Sequence, residues 1–328
     1  MEKNTHILVC GGAGYIGSHM VKMLTGLGFQ VTVFDNLSTG HTEAVGKAPL
    51  IKGDLLNPED LSALFADNKF DAVMHFSARS LVGESMTNPA IYYRNNVVGS
   101  LNLLDAMREH GVNKFIFSSS AAIFGNPVQA LINEEHPKAP INPYGETKLM
   151  VEHILRDYHA AYGLRSVSLR YFNAAGADPK GEIGESHNPE THLIPNVLRS
   201  LLKEGSELKV FGNQYPTKDS TCVRDYIHIN DLCTAHLKAL AYLENNDDAF
   251  GINLGNGTGF SILEIIQAAK EVTGKPIPYT VAPARAGDPA TLVADAKRAG
   301  EALGWRPEQT DIKEIIKNAW NWHLNQRY

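Results

Sequence analysis

The chain has 328 residues, 43% of them hydrophobic and 20% charged, with a formal charge of −6. That length can bury a large core, and it allows one large domain or two unequal ones of ordinary globular composition. The acidic balance without a basic cluster argues against a nucleic-acid surface, and the absence of a long apolar run or a leader before His6 predicts neither a membrane span nor export.

Three cysteines, Cys10, Cys222 and Cys233, show no metal-ligand spacing and point to a reduced, cytoplasmic setting. The histidines are scattered; His75, at the end of an apolar run, reads as structural or cofactor-adjacent, and no metal site is expected.

The first element is an apolar run, His6-Ile7-Leu8-Val9-Cys10, which reads as a buried strand. Gly11-x-x-Gly14-x-x-Gly17 follows it directly, and apolar residues at Ile16, Met20, Leu24 and Leu27 predict a helix over 16–27. A strand that turns sharply into a helix aims the helix's free N–H groups at a phosphate. Glycine permits the turn and the close approach. The spacing differs from G-x-G-x-x-G by one residue, so the match is to a variant of the dinucleotide fingerprint. A second strand over 31–34 ends in Asp35, near the distance expected for an acid that binds the adenosine ribose. Its carboxylate would repel a 2′-phosphate, and no arginine follows at once. NAD is therefore expected rather than NADP.

Strands over 50–51, 72–76, 115–118 and 167–171 alternate with helices over 58–66, 91–110 and 144–162. This rhythm predicts an α/β fold, a Rossmann-type doubly wound parallel sheet. Ser120 closes the segment Lys114-Phe115-Ile116-Phe117-Ser118-Ser119-Ser120, at the carboxyl edge where such sheets bind ligands. Tyr144 and Lys148 lie four apart, on one helical face. A free tyrosine is a poor base at neutral pH, and a nearby ammonium stabilises its phenolate. Ser120, Tyr144 and Lys148 beside a dinucleotide make a set that moves a proton on and off an alcohol.

After Asn173 the rhythm breaks. Residues 174–192 read as loop, and a helix near Pro195 carries Val197, Leu198, Leu201 and Leu202. The expected division is an NAD-binding domain over 1–175 and a smaller, discontinuous C-terminal substrate domain over 176–328. Segments 224–243 and 250–254 are expected to return to the first.

Together these stretches resemble the extended short-chain dehydrogenase/reductases and, more narrowly, the UDP-glucose (UDP-galactose) 4-epimerase family. The N-terminal carriers are Gly11–His19, Asp35-Asn36-Leu37-Ser38, His75-Phe76-Ser77-Ala78, Val82-Gly83-Glu84-Ser85 and Asn95-Asn96-Val97. Phe117–Ser120, Pro143-Tyr144-Gly145-x-x-Lys148 and Arg170-Tyr171-Phe172-Asn173 follow. More specific are Tyr215-Pro216-Thr217, Val223-Arg224-Asp225-Tyr226-Ile227-His228, Asn253-Leu254-Gly255 and Gly287-Asp288.

The resemblance implies cofactor contacts from Tyr15, Ile16, Asn36, Asp54, Leu55, Phe76, Ser77, Ala78, Asn95, Ser118 and Tyr171, besides the glycines, Asp35, Tyr144 and Lys148. It implies a UDP-sugar substrate, with Arg224 and Arg285 on the diphosphate, as a guanidinium fork suits. Asp288 would meet the uridine ribose. Phe172, Asn173, His192, Leu193 and Phe211 would line the substrate pocket with Ser120 and Tyr144, and Leu292 would abut the sugar's C2 substituent. A homodimer is implied as well.

Some positions depart from the family. Ser80 stands where some members carry lysine, Ala122 and Phe124 where hydroxyl residues are frequent, and Ala284 where arginine is frequent. Ala121-Ala122 after Ser120 leave no acid to eliminate water, which disfavours a 4,6-dehydratase. A uronate epimerase or decarboxylase stays open, and the presence of both Tyr144 and Lys148 disfavours a non-catalytic NAD sensor.

Overall fold

The computed structural model describes residues 5–202, 207–285 and 288–328. Gly287, part of one motif above, lies outside them. The first six strands are β1 His6–Cys10, β2 Gln30–Asp35, β3 Leu50–Lys52, β4 Ala72–His75, β5 Lys114–Ser120 and β6 Arg165–Tyr171. Then come β7 Asn173–Ala175, β8 Leu208–Phe211, β9 Val223–His228 and β10 Ala249–Leu254, and finally β11 Gly259–Ser261, β12 Tyr279–Ala282 and β13 Thr291–Leu292.

Seven strands form one sheet in the order β10-β6-β5-β4-β1-β2-β3, with every pairing parallel. Alternating side chains explain why both faces are covered. Ile7 and Val9 enter one apolar cluster with Met20, Leu24, Met74 and Leu240. Leu8 and Cys10 enter the other with Phe34, Leu104, Phe115 and Phe117. The strand order reverses between β1 and β4, so the crevice at their carboxyl ends is where a parallel sheet of this kind takes a ligand.

The smaller sheet is β11-β9-β13 with β7 also on β9, and β8 pairs with β12. A third cluster, including Ile194, Val197, Val210, Tyr226, Ile265 and Ile315, supports it.

The structure differs from the sequence reading in four places. The helix expected over 91–110 is an α-turn at Pro89–Tyr92, a wider π-helical stretch at Tyr93–Val98, and an α-helix at Gly99–Glu109. Asn96, inside the wide stretch, turns its side chain out of the helix to bond Arg79 and Thr147. Residues 174–175, read as loop, extend β7 along β9. The helix near Pro195 is Leu193–Arg199, so Leu201 and Leu202 fall beyond it. Within 224–254, β10 joins the large sheet beside β6 and the helix Ile229–Asn245 packs against β5 and β6. Val223–His228 instead centres the small sheet.

The helix Pro143–Tyr162 is bounded by local chemistry. The Asn142 side chain accepts a hydrogen bond from Gly145 N at 2.8 Å, and Pro143 opens the first turn. Gly163, at φ 69°, ends it in the left-handed conformation. On this helix Glu152 meets Arg170 of β6 in a fork, with Nε at 2.9 Å and Nη2 at 2.6 Å. The two side chains are only 8% and 6% exposed. Gly251 makes room for the fork, since a Cβ there would sit 2.1 Å from the guanidinium. Arg170→Ala leaves a buried carboxylate with Ser119 as its remaining hydrogen-bond donor. We expect a loss of about 3–5 kcal/mol in chemical denaturation; a loss under ~1 kcal/mol, typical of exposed pairs, would contradict a load borne by this pair.

Candidate active site

The glycine turn shows which glycines the protein itself requires. Gly11 has φ +79°, and a Cβ on it would lie 2.5 Å from Ser77 N. A Cβ on Gly17 would lie 2.1 Å from Gly11 O. Neither can be replaced without moving backbone. Gly14 is different: its φ of −80° suits any residue, and an added Cβ meets only Gly11 O, at an ordinary 3.5 Å. The chain leaves open space there, at the N-terminus of the helix Tyr15–Gly26. That terminus has no side-chain cap and no acidic residue in its first turn. Uncapped N–H groups beside open space fit a pyrophosphate.

Asp35, at the end of β2, is buried and already oriented. Its Oδ2 accepts from Ala13 N at 3.0 Å and its Oδ1 from Leu37 N at 2.8 Å. Each oxygen keeps acceptor capacity for a ribose hydroxyl. Asn36 donates to Asp54 at 3.0 Å, which ties the ends of β2 and β3, and Leu55 is buried behind them. Phe76, Ser77 and Ala78 leave β4 half-buried along the same edge. Phe76 N donates to Cys10 O at 2.8 Å. Asn95 donates to Asn96 Oδ1 at 3.0 Å, and that oxygen also receives Arg79 N at 2.8 Å. These residues fit the adenine-ribose and phosphate parts of a dinucleotide. His75 is buried with Nε2 2.9 Å from Ser100 Oγ, and burial lowers its pKa to about 3.

The expected proton-transfer set lies at the carboxyl end of β5. Lys148 is 97% buried and donates to Ser118 O at 2.7 Å. Its Nζ stands 5.8 Å from the Tyr144 ring centre and 4.8 Å from that of Phe117. The Ser118 hydroxyl bonds the Tyr171 phenol, so two expected cofactor contacts hold each other. Ser120 Oγ accepts from Ala122 N at 3.1 Å. Burial raises the Tyr144 pKa, and the hydrogen bond with Ser120 works against that rise. Burial lowers the Lys148 pKa to about 7, opposed by Glu152. A lysine of this kind binds fewer protons folded than unfolded between about 7 and the ordinary ~10.4. It therefore disfavours the ligand-free fold fully below pH 7, and the penalty fades as pH rises towards ~10.4.

The expected substrate residues gather on the small sheet and the loops facing it. Arg224, on β9, is buried and pairs with Asp288. The Arg285 guanidinium lies 4.1 Å over the Phe211 ring centre. Phe172 and Leu292 pack against Ala121, Ile123 and Phe124, which follow Ser120. Leu292 is held opposite Arg224 by the β13–β9 pairing. Asn173 opens β7, half-buried, and Leu193 begins the helix Leu193–Arg199. His192, also expected there, turns its Nδ1 to Glu185 and Glu190.

Tyr215, in the motif Tyr215-Pro216-Thr217, is not among the expected substrate contacts. Its hydroxyl is buried without a hydrogen-bond partner. Burial raises its pKa, and Asp288, Arg224 and Arg285 all act on it. An unsatisfied phenol among two arginines and an aspartate marks a place for a polar ligand.

The family model "NAD dependent epimerase/dehydratase family" matches residues 7–255. The chain is 50% identical to a UDP-glucose 4-epimerase of Halalkalibacterium halodurans, over 97% of this chain and 95% of that one. Among solved structures it resembles the UDP-glucose 4-epimerase of Bifidobacterium longum in complex with NAD+ and UDP, with TM-score 0.94 and 39% identity over 98% and 99% of the two chains. It also resembles the UDP-Glc/GlcNAc 4-epimerase of Campylobacter jejuni, with TM-score 0.85 and 41% identity over 98% and 100%.

The glycines separate fold from ligand. Gly14→Ala is expected to fold with a near-normal melting temperature and to lose bound dinucleotide at least tenfold, whereas Gly17→Ala should lose the fold. Thermal melts, with nucleotide content of the denatured supernatant, test both. A Gly14→Ala protein with full cofactor would contradict the placement of the pyrophosphate.

Proposed function

The chain belongs to the NAD dependent epimerase/dehydratase family and, within it, to the UDP-glucose 4-epimerases; from that premise we propose that it interconverts UDP-galactose and UDP-glucose. The observation that carries the reading is the placement of Tyr144. It stands beside Ser120, one helical turn from a buried lysine, at the sheet edge shared with the glycine turn.

NAD would be held by the turn of Gly11, Gly14 and Gly17 and by Asp35, and would supply a reversible hydride acceptor for the sugar's C4. The chain does the rest. Tyr144 takes the proton of the C4 hydroxyl, with Ser120 hydrogen-bonded between sugar oxygen and phenol. Lys148 stabilises the phenolate, and a positioned base of this kind typically contributes ~10²–10⁴-fold. Arg224 and Arg285 hold the diphosphate, Asp288 and Tyr215 the nucleoside side of the pocket. The 4-keto sugar meets chiefly apolar neighbours, Phe172 and Leu292, so it can turn while the nucleotide stays anchored. Tyr144 then returns the proton to the C4 oxygen, and the hydride that the cofactor would supply would reach the opposite face of C4.

Three features of setting belong to the same proposal. The enzyme works in the cytoplasm, in keeping with three buried, unpaired cysteines. It acts on a small molecule without nucleic acid or membrane; no described helix is long and apolar enough to cross a membrane. It forms a homodimer through the neighbouring helices of 89–109 and 143–162, which leave Val98 and Met150 exposed.

Leu292 shapes the sugar's C2 side. It is smaller than tyrosine but still fills space, so UDP-galactose is expected to be the better substrate and UDP-N-acetylglucosamine a weaker, measurable one. NAD-replete protein should convert UDP-galactose to UDP-glucose without added reductant. Leu292→Tyr should cut kcat/KM for the N-acetylated sugar at least tenfold and spare the other. Failure to form UDP-glucose would refute the activity, and equal losses on both sugars would remove Leu292 from substrate selection.

A further inference from the structure

Four side chains on residues 185–192, none of them in the Ser120–Tyr144–Lys148 set, converge on one another. Glu185, His187, Glu190 and His192 each offer one donor atom within 4.8 Å of the others. Glu185 Oε1 lies 2.8 Å from His192 Nδ1 and 3.2 Å from His187 Nδ1. Glu190 Oε2 lies 3.7 Å from His187 Nδ1. Donor atoms ~2.0–2.1 Å from a tetrahedral zinc stand ~3.3 Å apart. The observed separations bracket that value.

Hydrogen-bond accounting points the same way. Glu190 Oε1 accepts from Thr191 N at 2.8 Å and His192 N at 2.9 Å, and His192 Nδ1 is also 2.9 Å away. Those bonds fix the carboxylate and turn Oε2 inward. The Glu190 side chain is 2% exposed, yet Oε2 has no hydrogen-bond partner, and neither does the buried His187 Nδ1. His192 Nδ1 faces a carboxylate oxygen of both glutamates, although a ring nitrogen can donate only one bond. Protonated histidines would balance the charge, but at 3.7 Å the Glu190 Oε2–His187 Nδ1 pair is too long for a hydrogen bond. A divalent cation balances both carboxylates and uses every inward atom.

We propose that Glu185, His187, Glu190 and His192 bind one divalent transition-metal ion, zinc best, in a closed structural site. Two imidazoles disfavour Mg²⁺ and Ca²⁺, which take oxygen ligands. Four protein ligands leave no open position, as in structural rather than catalytic zinc sites.

The backbone that carries these ligands is pinned beforehand. Trp322 Nε1 donates to Glu185 O at 2.9 Å, Ser186 Oγ to Tyr328 O at 3.0 Å, and Arg199 Nη1 to His187 O at 3.3 Å. Gly184 lies against the Trp322 ring, where a Cβ would come within 2.3 Å. The His187 ring meets the edge of Tyr15, in the cofactor-side helix, at 6.5 Å. The ion would staple this segment between that helix and the C-terminal helix Ile312–Leu324. The inference stands independently of the proposed activity.

The test uses untagged full-length protein. Metal content is measured by mass spectrometry after gel filtration, then Zn²⁺ affinity of the chelator-treated protein by competition with a chromogenic chelator. About one zinc per chain is expected, with affinity reduced at least tenfold in Glu190→Gln and unchanged in His153→Ala, a surface control. Co²⁺ substitution should give the intense visible bands of a tetrahedral site. Wild-type protein that binds no stoichiometric zinc, gives only the weak bands of octahedral Co²⁺, or is matched by Glu190→Gln would overturn the site. The wild-type arms decide the matter even where Glu190→Gln fails to fold.

Discussion

The bond from Lys148 Nζ to Ser118 O, at 2.7 Å, is the contact on which the rest of the site depends. It joins the helix Pro143–Tyr162 to the carboxyl end of β5, and so places Tyr144 over Ser120. It also commits an ammonium to a position where burial lowers its pKa to about 7. The carbonyl alone offsets part of that cost. Glu152, one turn further along the helix, supplies negative charge, and Arg170 holds Glu152 from β6. A chain of three charges thus runs from the sheet to the catalytic face. The same low-dielectric setting strengthens each of these interactions and makes any broken one expensive.

The large sheet supplies the frame for that chain. Its strands end together at the switch between β1 and β4, where the glycine turn, Asp35 and the residues after β4 and β5 meet. The small sheet faces this edge with Arg224 and Leu292 in adjacent strands. In the proposed reading, the first side would hold the dinucleotide by backbone and carboxylate, the second the UDP by guanidinium groups, and the sugar would lie between them.

Much of this could be read from the sequence, for physical reasons. The alternation in Ile7-Leu8-Val9-Cys10 reflects a strand covered on both faces, and the glycine spacing reflects contacts that admit no Cβ. Tyr144 and Lys148 share a face because a helix brings i and i+4 together. Other features had no local signal. The π-helical stretch at Tyr93–Val98 depends on Asn96 reaching Arg79 and Thr147. The membership of Val223–His228 in the small sheet depends on β7 and β13, each more than fifty residues away on either side, and on β11 further along the chain. The Glu152–Arg170 fork joins two elements whose charges look solvated in sequence. The Glu185–His192 cluster lies in a loop, where spacing carries no fixed geometry. Tyr215 lies inside the motif Tyr215-Pro216-Thr217, but only its unsatisfied buried hydroxyl singles it out for the proposed nucleotide pocket.

The central claim is that the Tyr144 oxygen is the proton acceptor for oxidation at the sugar's C4. Tyr144→Phe removes that oxygen and keeps the ring. Turnover of UDP-galactose and calorimetric binding of UDP-galactose, measured on the same NAD-loaded preparation, test it directly. The account predicts kcat down by ~10²–10⁴-fold with the dissociation constant within a few-fold of wild type. Turnover close to wild type in the phenylalanine variant would contradict it.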